Sequence, residues 1–268
     1  MKIPLVTFTH IFHVGDLEGE PAIHDASHEG KCLSVSIHPE EWAEIAQLGG
    51  GETYRLERDT PLLLVDCHRI KKPQMAEIMK QAESIGLVSP LTMWKSWTSD
   101  ESGEWCFSLY GSKIEADAAN EETEKEEGNP GVSPTEEFAA SPALNSYWHA
   151  RNTDPTRQMS PFEVRDAVLA FAVEHTTALD GLWWQDDYDP AGLSAPRGGL
   201  FQRTLQGLRR DSEDVDVGDI PDGGPKVGQL DLTKLTAALV AANTAPSFPF
   251  KLPGEALSGT IVGEVLVK

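Results

Sequence analysis

The chain has 268 residues, 40% apolar and 24% charged, enough to bury a sizeable core as one large domain or two small ones. Its 43 acids against 22 bases give a formal net charge of −21, a surface that repels phosphate, argues against binding the backbone of DNA or RNA, and suits a basic protein partner. No run of 18 apolar residues could span a membrane, the start "MKIPLVTFTHIFHVGDLEGE" lacks a signal peptide's apolar core, and Cys32, Cys67 and Cys106 read as buried reduced thiols of a cytoplasmic protein.

Residues 3–14 are rich in β-formers (Ile3, Leu5, Val6, Phe8, Ile11, Phe12, Val14) and predict a strand. "CLSVSI" (32–37) alternates as a short strand. "HPEEWAEIAQLGGG" (38–51) predicts a helix: Pro39 suits its first position, Glu40 and Glu41 favour its N-terminal end, and Gly49–Gly51 stop it. Residues 53–58 and 61–70 read as two strands, and 73–86 as a helix with Met75, Ile78, Met79, Ala82 and Ile85 on one side. Strands around "LTMWKSW" and "EWCFSLYG" follow, joined at Ser99–Gly103. Residues 111–147 are acidic and poor in aromatic and β-branched residues, so they read as a flexible insertion. Ser160 and Glu163 then form a capping box around Pro161, ahead of a stripe of Val164, Val168, Leu169 and Ala172. "DGLWW" predicts a strand, 209–228 an acidic loop, 232–243 a short helix, and 259–268 a closing strand. Helices and strands mix without regular alternation. The expected class is α+β, a single domain in two parts, 1–110 and 148–268, around the insertion.

Four features bear on chemistry. His10 and His13 lie three apart, but on a strand an odd separation points them to opposite faces, and with His24, His28 and His38 they lack the Cys or carboxylate partners of a metal set. No metal is therefore expected. "FHVGD" (12–16) reads either as a structural histidine beside a turn glycine, or as an imidazole and a close-approach backbone able to grip a ribose hydroxyl and a carboxamide. The Gly49–Gly51 run follows a helix rather than opening one, so it is a helix stop and not a phosphate cradle. In "LWWQDD" alternation sends Leu182 and Trp184 one way, Trp183 and Gln185 the other, so one tryptophan is expected in the core and the other over a cleft as a stacking platform. Asp186, Asp187 and Asp189 crowd the strand end, with Arg197 to neutralise them. The segment is either a solvated Asp189–Pro190 corner or the rim of a site.

"HVGD", "LSVSIHPEEWAEIA" and "LDGLWWQDD", in that order, resemble the three motif segments of the ADP-ribosyltransferase-like fold: an early strand with His-Gly, a second strand with Ser leading into a helix, and a late strand with the catalytic acid. The last segment also resembles uncharacterised bacterial and phage proteins that carry a Trp-Trp-x-Asp…Asp-Pro…Ser-Ala-Pro-Arg-Gly run. The resemblance covers 5–70 and 160–202. It implies mixed sheets with flanking helices and an enzyme that transfers ADP-ribose from NAD to a macromolecular acceptor. His13 would contact the NAD ribose, the Gly15 backbone the nicotinamide amide, and Ser34 or Ser36 the nicotinamide ribose. Trp183 or Trp184 would cover the cofactor. Asp186, kept ionised by Arg197, would stabilise positive charge at the anomeric carbon; the family usually has glutamate there. The competing reading, from composition alone, is a non-catalytic acidic protein that occupies a basic partner.

Overall fold

A computed structural model describes residues 1–15, 17, 30–45, 52–99, 105–121, 128–150, 157–176, 178–186, 195–212, 226–244 and 264–265. In chain order these form β1 (Lys2–Val14), β2 (Leu33–Val35), α1 (Pro39–Ile45), β3 (Thr53–Asp66) with a 3-10 turn at Cys67–Arg69, α2 (Lys72–Ser84), β4 (Val88–Ser99), β5 (Trp105–Tyr110), α3 (Lys113–Asn120), β6 (Val132–Ala140), α4 (Pro142–Trp148), α5 (Pro161–Glu174), β7 (Gly181–Trp184), β8 (Arg197–Leu200), α6 (Gln202–Leu205), β9 (Arg209–Asp211), β10 (Lys226–Asp231), α7 (Leu232–Thr244) and β11 (Glu264–Val265). The class is α+β.

The larger sheet runs β10-β1-β3-β7-β8-β2, with β9 added to β3. Its far strand returns to the first. Phe12 N–H donates to Ser36 O at 2.9 Å and Ser36 N–H to Phe12 O at 2.8 Å, so β1, β3, β7, β8 and β2 close into a small barrel. A circuit that leaves β1 at Leu5 crosses Val65, Leu182, Gly199 and Ser34 and regains β1 near Phe12, which means the strands are strongly tilted. A register shift between Phe8 and His10 bends β1 into this curve. The barrel interior is Val6, Phe8, Ile11, Leu33, Val35, Leu56, Leu62, Leu64, Trp183 and Leu200. The smaller sheet runs β11-β5-β4-β6, and α3 packs on it.

Helix α5 lies between the two sheets. It contacts α2, α4 and α7 as well as β6 and β7, and nine of its residues, from Pro161 to Val173, are buried. A helix apolar on all sides belongs in a core. Its start is the expected capping box: Ser160 Oγ accepts from Glu163 N–H at 3.3 Å, and Glu163 Oε2 accepts from Ser160 N–H at 2.8 Å. Beyond its end, Asp180 ties the fold together. Its carboxylate accepts both Arg58 terminal nitrogens, at 2.9 and 2.5 Å, and Leu63 N–H at 2.8 Å. Its carbonyl accepts from Phe201 N–H and from Thr204 Oγ. A bidentate, nearly buried pair of this kind also fixes the register of β7 beside β3.

Three sequence expectations are corrected. The segment 111–147 is not a flexible insertion: α3, β6 and most of α4 lie within it. Ser112 and Ser141 cap the two helices by accepting from Glu115 and Leu144 N–H, and Ala116, Leu144, Tyr147 and Trp148 are buried. Its apolar residues are few but periodic, and β4 supplies the pairing partner for β6; only 122–127 lie outside the described residues. The two strands expected over 53–58 and 61–70 are one strand ending at Asp66. The acidic loop 209–228 begins and ends in strands, β9 and β10, with 213–225 outside the described residues. Also outside them are His24, His28, Gly49–Gly51, Asp187, Asp189, Pro190 and the 100–103 part of the hairpin turn.

Two substitutions check this architecture. Ser160→Ala removes the cap acceptor and is expected to cost about 1 kcal/mol. Val168→Ala, at a fully buried position, is expected to cost roughly 1–3 kcal/mol. The check is the urea midpoint of each variant. Unchanged midpoints for both would rule out the buried, capped α5.

Candidate active site

Strand β7 is four residues long and buried on both faces. Trp183 points into the barrel, its ring 4.7 Å from that of Phe8, while Leu182 and Trp184 pack outward with Val65 and the stripe of α5. The predicted alternation is observed, but neither tryptophan is an exposed platform: they are 1% and 7% accessible. Burial of both faces became possible because a barrel interior lies on one side and a helical layer on the other. The glycines around them are packing requirements. A Cβ on Gly198 would stand 2.9 Å from Leu182 O and from Trp183 Cε3.

Strands β3 and β7 are parallel, with Asp66 beside Trp183, so their carboxyl ends open on the same edge. Binding groups collect at such edges in parallel sheets. Here the edge holds Asp66, Cys67, Asp186 and, from the start of β8, Arg197. Arg197 Nη1 donates to Asp186 Oδ2 at 2.5 Å, and its guanidinium lies 5.4 Å from the Trp184 ring centroid. Asp186 remains partly open, its side chain 31% accessible against 16% for Arg197. Behind Trp184 stands Asp166 of α5, which accepts a hydrogen bond from the indole N–H. Burial pushes the Asp166 carboxyl up to about 6; Arg197 and the Trp184 hydrogen bond work against this, while Asp186 and Glu163 add to it. Burial likewise pushes the Cys67 thiol up, and the Asp166 charge reinforces it. This thiol is not an activated nucleophile. Asp66, 3% accessible, caps the 3-10 turn through Arg69 N–H.

The other residues singled out in the sequence lie along the adjoining strands. His13 Nδ1–H donates to Ser34 O at 2.7 Å, since a carbonyl can only accept. His10 instead stacks edge-on against Phe12 and meets Arg55, so the two histidines have separate partners. Ser36 is fully buried. Its hydroxyl donates to Pro196 O at 2.7 Å and accepts from His38 N–H at 3.0 Å. It therefore fastens the end of β2 to the start of β8, while Ser34, the other serine singled out, is partly exposed. Gly15 has φ 117° and gives its N–H to Glu52 O. The three motif segments thus lie at the end of β1, on β2 and α1, and on β7, and β8, which belongs to none of them, stands between β2 and β7. Among the described residues no three His, Cys, Asp or Glu side chains are grouped to hold a metal ion.

Asp166 is the site residue that the sequence reading missed. The available signal was an acid set directly before the unbroken apolar run Ala167–Val173. Its raised carboxyl has a stability consequence. The folded protein retains a proton that the unfolded chain, with an ordinary carboxyl near 3.8, releases, so wild-type stability falls as pH rises from about 4 to about 6. Asp166→Asn is expected to be more stable than wild type by on the order of 1–3 kcal/mol at about pH 8, an advantage that disappears below about pH 4. Urea midpoints at the two pH values measure it, and a difference that does not change with pH refutes it.

Comparison with protein-family models, with characterised proteins and with solved structures finds no match for this chain.

Proposed function

We propose that the protein transfers ADP-ribose from NAD to a macromolecular acceptor. The observation that carries this reading is Asp186. It is a partly open carboxylate two residues past β7, at the shared carboxyl end of β3 and β7, where it accepts a hydrogen bond from Arg197 at 2.5 Å, beside the barrel whose strands also carry His13 and Ser34. An ionised carboxylate in a sheltered edge is suited to stabilising an oxocarbenium-like transition state, because its charge is oriented before the reaction begins. On this reading His13 and Ser34 hold the nicotinamide ribose and Gly15 approaches the carboxamide. Trp184 acts from behind, its ring centroid 5.4 Å from the Arg197 guanidinium. Trp183 and Ser36 have no ligand role; they build the barrel.

A second reading is favoured by the net charge of −21: a non-catalytic protein that engages a basic partner through its acidic surface. Asp186→Asn separates the two. It is nearly isosteric and removes the charge. The expected outcome is folding and NAD affinity close to wild type, with nicotinamide release lowered by about two orders of magnitude or more. Calorimetry measures NAD binding, and chromatography of nicotinamide, with and without cell lysate as acceptor source, measures turnover. Wild-type protein that neither binds NAD nor releases nicotinamide rejects the transferase in favour of the acidic binding protein.

A further inference from the structure

Of the seven tryptophans, Trp42, Trp148, Trp183 and Trp184 are buried. The remaining Trp94, Trp97 and Trp105 are partly exposed, and all three lie on the paired strands β4 and β5. A large flat ring left partly open is contact area that a ligand can cover. Trp94 stands directly across from Tyr110 of β5 and Pro134 of β6, so these three side chains share one face of the smaller sheet. Lys113 of α3 reaches over that face, its Nζ 6.0 Å from the Trp94 ring centroid. Lys113 also lines a cleft of about 720 Å³ between α3 and the start of β6, together with Asp117, Asn120, Glu121 and Asn129. Asn120 is 5% accessible, and its Oδ1 accepts from Asn129 Nδ2 at 3.1 Å. Asn129 is aimed by its own turn: its Oδ1 accepts from Gly131 N–H at 2.6 Å, and Gly131 has φ 74°, a conformation that favours glycine. The cleft is therefore built around a buried amide.

The lining selects a class of ligand. Carboxylates only accept hydrogen bonds, an ammonium only donates, and a carboxamide does both. Lys113 Nζ donates to both Asp117 oxygens, at 2.8 and 2.7 Å, so that pair is electrically balanced and Glu121 leaves the cleft net negative. An anionic ligand is disfavoured there. A sugar hydroxyl can donate to a carboxylate while it accepts from an amide, and the C–H face of a sugar ring is apolar enough to lie on an indole. A polar cleft beside an open aromatic ring suits both halves of such a molecule. We infer that the cleft between α3 and β6 binds a neutral saccharide, with Asp117 and Asn129 on neighbouring hydroxyls and Trp94 under the sugar ring. None of the candidate active-site residues lies on α3, β4, β5 or β6, so this inference stands apart from the ADP-ribosyl transfer reading.

The test titrates the full-length, nitrogen-15-labelled chain with D-glucose, D-galactose, D-mannose and N-acetyl-D-glucosamine, and separately with glucose 6-phosphate. The readout is the set of indole N–H signals in the amide correlation spectrum. Trp94→Phe, which deletes one signal and keeps an aromatic ring, assigns Trp94. At least one neutral sugar is expected to shift the Trp94 signal saturably while the signals of the buried tryptophans stay in place, and glucose 6-phosphate is expected to bind no more tightly than glucose. Asp117→Ala and Asn129→Ala, at positions that are not buried, are each expected to weaken the sugar by about tenfold or more, the scale of one lost hydrogen bond to a polar or charged group. Their urea midpoints show that both variants remain folded. No saturable shift with any of the neutral sugars overturns the inference. So do tighter binding of glucose 6-phosphate than of glucose, and sugar affinities in both variants within about twofold of wild type.

Discussion

The rest of the structure depends on burying β7 from both sides. Four residues, Gly181 to Trp184, must feed two separate cores with alternate side chains. Trp183 fills the barrel against Phe8, and Trp184 meets the helical layer. Neither arrangement works unless the neighbouring strand comes close, which is why Gly198 is without a side chain where the Trp183 ring passes. The same constraint explains the closed sheet. An open sheet of these strands would leave the Trp183 face wet, whereas closure through Phe12 and Ser36 gives it an interior to occupy.

Helix α5 plays the complementary role. It lies against β7 and β6, its run Ala167–Val173 is buried throughout, and Glu163, Arg165 and Asp166 stand ahead of that run. Arg165 pairs with Glu137 at 2.6 Å and joins the helix to the smaller sheet. Glu163 closes the cap and receives Arg157 at 2.7 Å. Asp166 faces Trp184 and Arg197. Around the candidate site, Asp166 lies on this helix and Arg197 opens β8, while Asp186 follows β7 by two residues. Rigid elements of this kind hold charged groups in place before a substrate arrives.

Burial raises the Asp166 carboxyl, with Asp186 and Glu163 adding to the rise and Arg197 acting against it. A stability-optimised edge would place an amide or an apolar residue at that position. The half-buried Cys67 thiol is raised by desolvation and by the Asp166 charge.

Much of the local structure was legible in the amino-acid sequence, because capping, alternation and glycine punctuation act within a few residues. The Ser160–Glu163 box, the strand over 3–14, the helix over 73–86 and the opposed faces of Trp183 and Trp184 belong to this class. The order of the segment 111–147 did not, since its average composition conceals a strand and helices that become stable only when β4 and α5 cover them. Three outcomes were decided by the tertiary structure alone. Sheet closure buried both tryptophans. The pairing of β2 with β8 consumed the Ser36 hydroxyl. Packing of α5 on β7 brought Asp166 to Trp184 and Arg197, residues 18 and 31 positions away in the chain. The physical reason is common to all three: hydrogen-bond partners and dielectric surroundings are set by neighbours distant in sequence, so a residue's chemistry, unlike its local backbone preference, is not carried by the residues beside it.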